Sequence, residues 1–263
     1  MVDFASPRPL DFLQTVALGR LPGWTSVFIT GYNPDIDLAT DPEDVWMGGG
    51  LYPFLTVASL LEIVSSSASD ADAGIGARTV LVQGLNSSYL EINETVILNG
   101  VTPVALVNTY IRINSCIVTA VGSTLGNVGT ITLRVPGPGS TLAMIGLTNG
   151  LGHNRAKQAI YTVPAEKMLF ISSFAFNTFR VAGASESVEI GIFSRVANSA
   201  TAPWLLGQVF NLNVQGTSFV NPVFPLLRAS PSIFDIRATV LQVSADNFAV
   251  GADIIGVLGN SKA

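Results

Sequence analysis

The chain has 263 residues, of which 48% are hydrophobic and only 12% charged, and its formal net charge is -5. Soluble domains ordinarily carry about 25% charged residues, so a monomer of this composition has too little ionic surface and calls for partners that cover it. The acidic balance argues against a nucleic-acid binder, which carries a basic stripe. The one cysteine, Cys116, excludes an intrachain disulfide framework.

Residues 1–50 read as an N-terminal arm. Leu10, Leu13, Val16 and Ala17 stand at near-helical spacing and predict a short helix, with Pro9 in its first turn and Gly19, Pro22 and Gly23 ending it. The next stretch, TSVFITGYNPDIDLATDPEDVWMGGGLYP, is rich in Asp, Pro and Gly. It predicts an irregular, extended segment with turns at Asn33-Pro34 and Asp41-Pro42. Such an arm has little core of its own. It is expected to lie on the same chain or a neighbour, and to be separable from the β modules.

From Leu51 the hydrophobic period is two. Ile131, Leu133 and Val135 alternate with Thr130, Thr132 and Arg134. Val188, Ile190 and Ile192 alternate with Glu189 and Gly191. Phe234, Ile236, Ala238 and Val240 alternate with Asp235, Arg237 and Thr239. Further strands are expected at TVLVQG, YLEINETVIL, TYIRINSCIV, TLAMIG, QAIYTV, KMLFISSFAF, WLLGQVFNLNV and FAVGADIIGVL, with Cys116 as a buried strand thiol. Short strands punctuated by Gly, Asn, Ser and Pro predict an all-β protein of antiparallel sandwiches or barrels. The Gly- and Pro-rich RVPGPGSTLAMIGLTNGLGHNRAKQ divides them into a first β-sandwich module, 51–150, and a second, 151–263, long enough for an eight-stranded jelly roll.

Two long uncharged stretches do not read as membrane spans. Ile113–Leu133 is full of Asn, Ser, Thr and Gly, and Arg195–Arg228 is broken by Pro203, Pro222 and Pro225. No basic segment followed by an apolar core marks a signal peptide, so the glycosylation patterns at Asn86 and Asn93 carry no weight.

No catalytic constellation is expected. A Ser-His-Asp triad would need His153, the sole histidine, which reads as a solvated linker residue in NGLGHNRAK without a nucleophile elbow. One Cys and one His cannot make a zinc site without several carboxylates. Asp35 and Asp37, near Asp41, Glu43 and Asp44, begin with calcium-loop spacing. Ala39 stands where a third oxygen belongs, however, and no Glu closes the loop. The carboxylate pairs Glu91/Glu94 and Glu186/Glu189 are three apart, so on a strand they face opposite ways and cannot flank one glycosidic bond. Gly48–Gly50 and Gly137–Gly139 match no phosphate loop. No cofactor is expected. The aromatic residues Phe170, Phe174, Phe176, Phe179, Trp204, Phe210, Phe219, Phe224 and Phe234 read as core or subunit interface, with Trp204 the one candidate for a sugar platform.

The order DFLQTVALGRLPGWTSVFITGYNPDID, then DPEDVWMGGGLYPFLT, resembles a set of tailed-bacteriophage virion proteins. The phrase Val82, Gln83, Gly84, Leu85, then Glu91, Glu94, Thr95, Val96, Leu98, Asn99 and Gly100 continues the likeness, as does QAIYTVPAEKMLFI, which looks like the opening strand of that family's C-terminal β module. The resemblance supplies no catalytic residues. It implies a structural role, most concretely a capsid decoration protein: a homotrimer made in the host cytoplasm and placed on the outer head surface against the major capsid protein. No nucleic acid or membrane is expected as partner, and a host surface glycan is carried as a further one. Residues expected to touch the capsid or a partner are Tyr32, Asn33, Pro34, Asp35, Asp37, Trp46 and Tyr52. Those expected at the oligomer interface are Trp204, Leu205, Phe210, Phe219 and Phe224. The alternative is a trimeric tail fibre or receptor-binding protein.

Overall fold

The structure, a computed structural model, describes residues 12–137, 139–179, 187–199, 201–213, 217–220 (backbone only) and 233–260. The chain opens with helix α1 (Phe12–Ala17) and strands β1 (Trp24–Ile36) and β2 (Glu43–Asp44). A first run comes next: β3 (Ser59–Ser65), β4 (Ala77–Leu85), β5 (Glu91–Ile97), β6 (Val104–Tyr110), β7 (Arg112–Val121), β8 (Ile131–Arg134) and β9 (Thr141–Ile145). The short β10 (Leu147–Thr148) and β11 (Leu151–Gly152) pair at the junction. The second run is β12 (Ile160–Thr162), β13 (Lys167–Phe179), β14 (Ser187–Val196), β15 (Leu205–Asn213), β16 (Thr217–Val220), β17 (Phe234–Val243) and β18 (Phe248–Asn260). The protein is all-β, and its strand pairings are antiparallel.

The sheet orders explain the architecture. Sheet β6-β3-β8-β9 faces sheet β5-β4-β7, and β1-β18-β13-β16 faces β12-β17-β14-β15, with β2 added on β17. Number the eight principal strands of the second pair, β1 and β12 to β18, in chain order. The two sheets then read 1-8-3-6 and 2-7-4-5, the strand order of a jelly roll. Its first strand comes from residues 24–36 and its second from 160–162. The first sandwich is therefore an insertion between strands one and two. The ends of the insertion meet, since Trp46 bridges Gln158 and the Met47 N–H donates to the Lys157 carbonyl at 3.1 Å.

Each sandwich has its own core. Leu61 and Ile63 of β3, Leu133 of β8, Val80 and Val82 of β4 and Ile113 of β7 fill the first, which also holds the buried Cys116 thiol. Burial pushes that thiol up to about 12. Phe174 and Phe176 of β13, Ile190 of β14, Ile236 and Val240 of β17 and Phe248 and Ile254 of β18 fill the second. The period-two alternation places Ile236, Ala238 and Val240 in the core and turns Asp235, Arg237 and Thr239 to the opposite face.

The N-terminal segment corrects the sequence expectation. Helix α1 ends where expected, with Gly19 at φ 65° and bonds from Gly19 N to Val16 O and from Arg20 N to Thr15 O closing a glycine cap; Leu10 lies outside the described residues. The segment after it is extended but not irregular, and it lies on its own chain. Strand β1 pairs with β18 from Trp24↔Gly259 to Ile36↔Phe248, and the register breaks only between Asn33 and Ile36, where Pro34 has no N–H to give. Ile29, Ile36 and Val45 are part of the jelly-roll core. Gly31 is required by close approach: a Cβ there would lie 2.3 Å from Ala159 N and 2.4 Å from Val45 O. The arm is therefore not separable. Removing residues 1–36 takes strand one from the jelly roll, and the truncated chain is expected to lose cooperative thermal unfolding by calorimetry. A truncated chain that melts at the full-length midpoint would show that strand to be dispensable.

Candidate functional site

The polar face of β17 is largely covered. It meets the inserted sandwich, and the charged side chains gather in that joint. Thr162, Asp235 and Arg195 are cross-strand neighbours on β12, β17 and β14. Arg112, the first residue of β7, enters from the other sandwich. Its Nε and Nη2 donate to the two oxygens of Asp235 at 2.8 and 3.0 Å, and its Nη1 donates to the carbonyls of Leu55 (2.6 Å) and Ile111 (2.8 Å). Arg195 Nε donates to Asp235 Oδ2 at 3.0 Å and Thr162 Oγ1 to Oδ1 at 2.6 Å. Asp235 is 0% exposed and Arg112 4%. Burial works against the charge of Arg112, and the paired carboxylate more than restores it, so its pKa stands above the ordinary value.

Two residues along β17, Arg237 Nη1 donates to Asp44 Oδ2 at 3.1 Å. Asp44 also accepts from Thr239 Oγ1 (2.6 Å) and the Tyr52 N–H (2.8 Å). Burial raises the Asp44 carboxyl, and Arg237 with the two donors opposes the shift. An aromatic chain runs beside these pairs: Trp46, Tyr52, Phe54 and Trp204 succeed one another at centroid distances of 5.1, 4.9 and 5.1 Å. The guanidinium of Arg195 lies 4.4 Å and that of Arg237 4.2 Å from the Trp204 ring centre; Arg112 and Arg195 also cover Phe54. Tyr52, Phe54 and Trp204 border an open cleft of about 690 Å³ whose charged lining is Arg112, Arg195 and Arg237. The arrangement clamps two sandwiches together and presents guanidinium donors at a cleft.

The residues expected to contact a capsid divide. Asn33, Trp46 and Tyr52 are buried, which leaves them almost no surface for a protein partner. Asn33 Nδ2 donates to Glu43 Oε2 at 3.0 Å and to the Asp44 carbonyl at 3.3 Å, Trp46 Nε1 to the Gly50 carbonyl, and the Tyr52 hydroxyl to the Leu142 carbonyl. The sequence hid this because Asn, Trp and Tyr beside Pro and Gly read equally as turn or as polar-anchored core. Pro34 and Asp35 are exposed and Tyr32 and Asp37 half-buried, with Asp37 accepting from the Asn247 N–H.

Of the interface candidates, Phe210 belongs to the jelly-roll core, 4.7 Å from Phe176 and 5.9 Å from Phe174. Trp204 is half-buried with its ring covered by the arginines, so it offers no open sugar platform. Leu205 is exposed on β15, an edge strand. Phe224, Glu186 and the side chain of Phe219 lie outside the described residues. Glu94 faces β6. It accepts from the N–H groups of Val107 (2.9 Å) and Asn108 (2.8 Å), tying β5 to the edge strand β6. His153 is half-buried rather than solvated. Its Nε2 lies 2.7 Å from Thr148 Oγ1, and its Nδ1 is buried and meets no partner among the described residues.

No protein-family profile and no curated protein matches the chain. Among solved structures, it is similar to that of infectious bursal disease virus Gt strain at TM-score 0.25 and 10% identity, over 95% of this chain and 78% of that one. It is similar to the CBM22-1–CBM22-2 tandem domain of Paenibacillus barcinonensis Xyn10C at 0.28 and 14%, over 92% and 94%. For the infectious bursal disease virus VP2 subviral particle the values are 0.21 and 9%, over 95% and 78%. Likenesses at this level establish neither a shared topology nor a shared role.

Sequence reasoning passed over Arg112, Arg195, Asp235 and Arg237. The available signal was opposite charges two apart on one strand face, Asp235 and Arg237, in a chain with few charges to place. Asp235→Ala leaves two guanidiniums without their carboxylate in a buried joint and is expected to cost about 3–5 kcal/mol, read as a lower denaturant midpoint; an unchanged midpoint would remove the pair from the joint. The histidine gives a pH dependence. Burial, then the charge of Lys157, lowers the His153 pKa below 6.5, so the unfolded chain takes up the proton more readily than the folded one. Stability is full above the ordinary histidine value and falls as pH drops through 6.5 toward the folded value. His153→Gln is expected to flatten the melting temperature over that window.

Proposed function

We propose that this chain is a virion structural protein of a tailed bacteriophage, a capsid decoration protein that assembles as a homotrimer on the outer head surface, binds the major capsid protein and performs no catalysis. The observation that carries the reading is the exposed apolar surface of a charge-poor chain. Val107 is 88% exposed and Leu205 58%, and Val57, Leu60, Ile97, Leu206 and Val209 are exposed as well. Leu205, Leu206 and Val209 lie on β15, whose free edge also carries unpaired backbone donors and acceptors among the described residues. The jelly roll supports the reading by analogy alone, because lectins and cupins share it.

The energetics permit it. An interface of about 1,600 Å² that is roughly half apolar yields on the order of 20 kcal/mol gross at ~25 cal/mol per Å², against association costs of about 4–15 kcal/mol. Leu205→Glu with Leu206→Glu is expected to leave the melting temperature within about 2 °C and to shift sedimentation toward monomer. An assembly unmoved by both charges would take β15 out of the interface. A second reading, a tail-associated receptor-binding protein, is favoured by the arginine-lined cleft. Copy number separates the two: a decoration protein approaches the major capsid protein in gel densitometry, whereas a fibre is present in far fewer copies.

A further inference from the structure

We propose that the cleft at the joint binds a carboxylate-bearing sugar, a uronic-acid type of residue; the inference is independent of where in a virion the chain sits. Arg112 is engaged internally, with its nitrogens on Asp235, Leu55 and Ile111. Arg195 commits only its Nε to Asp235, and Arg237 commits only one terminal nitrogen to Asp44. Among the described residues, the two Nη groups of Arg195 and the Nη2 of Arg237 meet no acceptor. Both side chains border the cleft and keep some exposure, 20% and 12%. The Trp204 ring holds both guanidiniums at 4.2–4.4 Å, so their donors are fixed before any ligand arrives.

Charge selects the ligand. The cleft lining carries three arginines and no carboxylate, and among the described residues only Asp44 and Asp235 are ion-paired with them, so the lining favours an anion. A single carboxylate matches the planar guanidinium fork. Shape selects the rest. The volume of about 690 Å³ far exceeds a bare carboxylate and suits a small ring. Its rim carries Thr56, Ser87, Asn198 and Ser199, which pair with hydroxyl groups and place no competing negative charge there.

The test is calorimetric titration of the full chain with glucuronate, glucose, acetate and inorganic phosphate at matched ionic strength. Glucuronate is expected to bind, with acetate at least tenfold weaker and glucose silent. Arg195→Lys, which keeps the charge but loses the fork, is expected to weaken glucuronate at least tenfold. Asn198→Asp, on the exposed rim and outside the ion pairs, is expected to weaken it several-fold by repulsion, and it serves if the arginine variant does not fold. Acetate or phosphate binding as tightly as glucuronate, glucose binding equally well, no binding at all, or binding unchanged in both variants would each overturn the proposal.

Discussion

One buried carboxylate organises the molecule. Asp235 takes two bonds from Arg112 of the inserted sandwich and one each from Arg195 and Thr162 of its own. Charges removed from water are expensive, and their mutual attraction offsets the cost only when the geometry satisfies them. Apolar surfaces alone could slide against one another. A carboxylate that loses a two-pronged partner on any small rotation holds the sandwiches in one relation. The same pairing aims the guanidiniums at the cleft, so the joint and the candidate site are one construction.

The topology makes that joint necessary. Strand one of the jelly roll precedes the insertion, and strand eight, its partner, ends at residue 260. Pairing β1 with β18 closes a loop of more than 200 residues, and pairings this distant in sequence form slowly. The insertion shortens the effective loop once it has folded, because its ends meet at the Trp46–Gln158 bridge. A folded insert then acts as a staple holding β1 near β12, with Asn33, Glu43 and Asp44 fixing the turn between β1 and β2.

Local patterning was legible in the sequence, and long-range partnership was not. Alternation marked β4, β8, β14 and β17, and the Gly19 stop marked the end of α1. β1 escaped because Pro34, Asp35 and Gly31 are turn formers on any local reading; their place in a strand is set by β18, Val45 and Ala159 far along the chain. β6 escaped because Val104–Tyr110 runs into β7 with only Ile111 between. The site escaped for a related reason. Alternation turns Asp235 and Arg237 away from the core, as the structure does, but partners more than a hundred residues earlier cover that face, Arg112 of the inserted sandwich and Asp44 of β2. Cys116 was readable because a thiol in an apolar alternating strand needs no distant partner to be buried.

The composition argument grows stronger once the burial of individual charges is known. The chain places Glu43, Asp44, Asp70, Arg112 and Asp235 in its interior. Asp70 alone accepts from Ser65, Ala77, Val128 and Gly129, so it braces a turn rather than solvating a surface. Each charge held inside thins an already sparse ionic surface, and the outer faces expose Val57, Leu60, Val107 and the β15 leucines. Interior charge fixes how the sandwiches sit, while its scarcity outside leaves apolar side chains on the surface. The proposed assembly would gain from both, since a rigid chain loses little freedom when a weakly charged surface is covered.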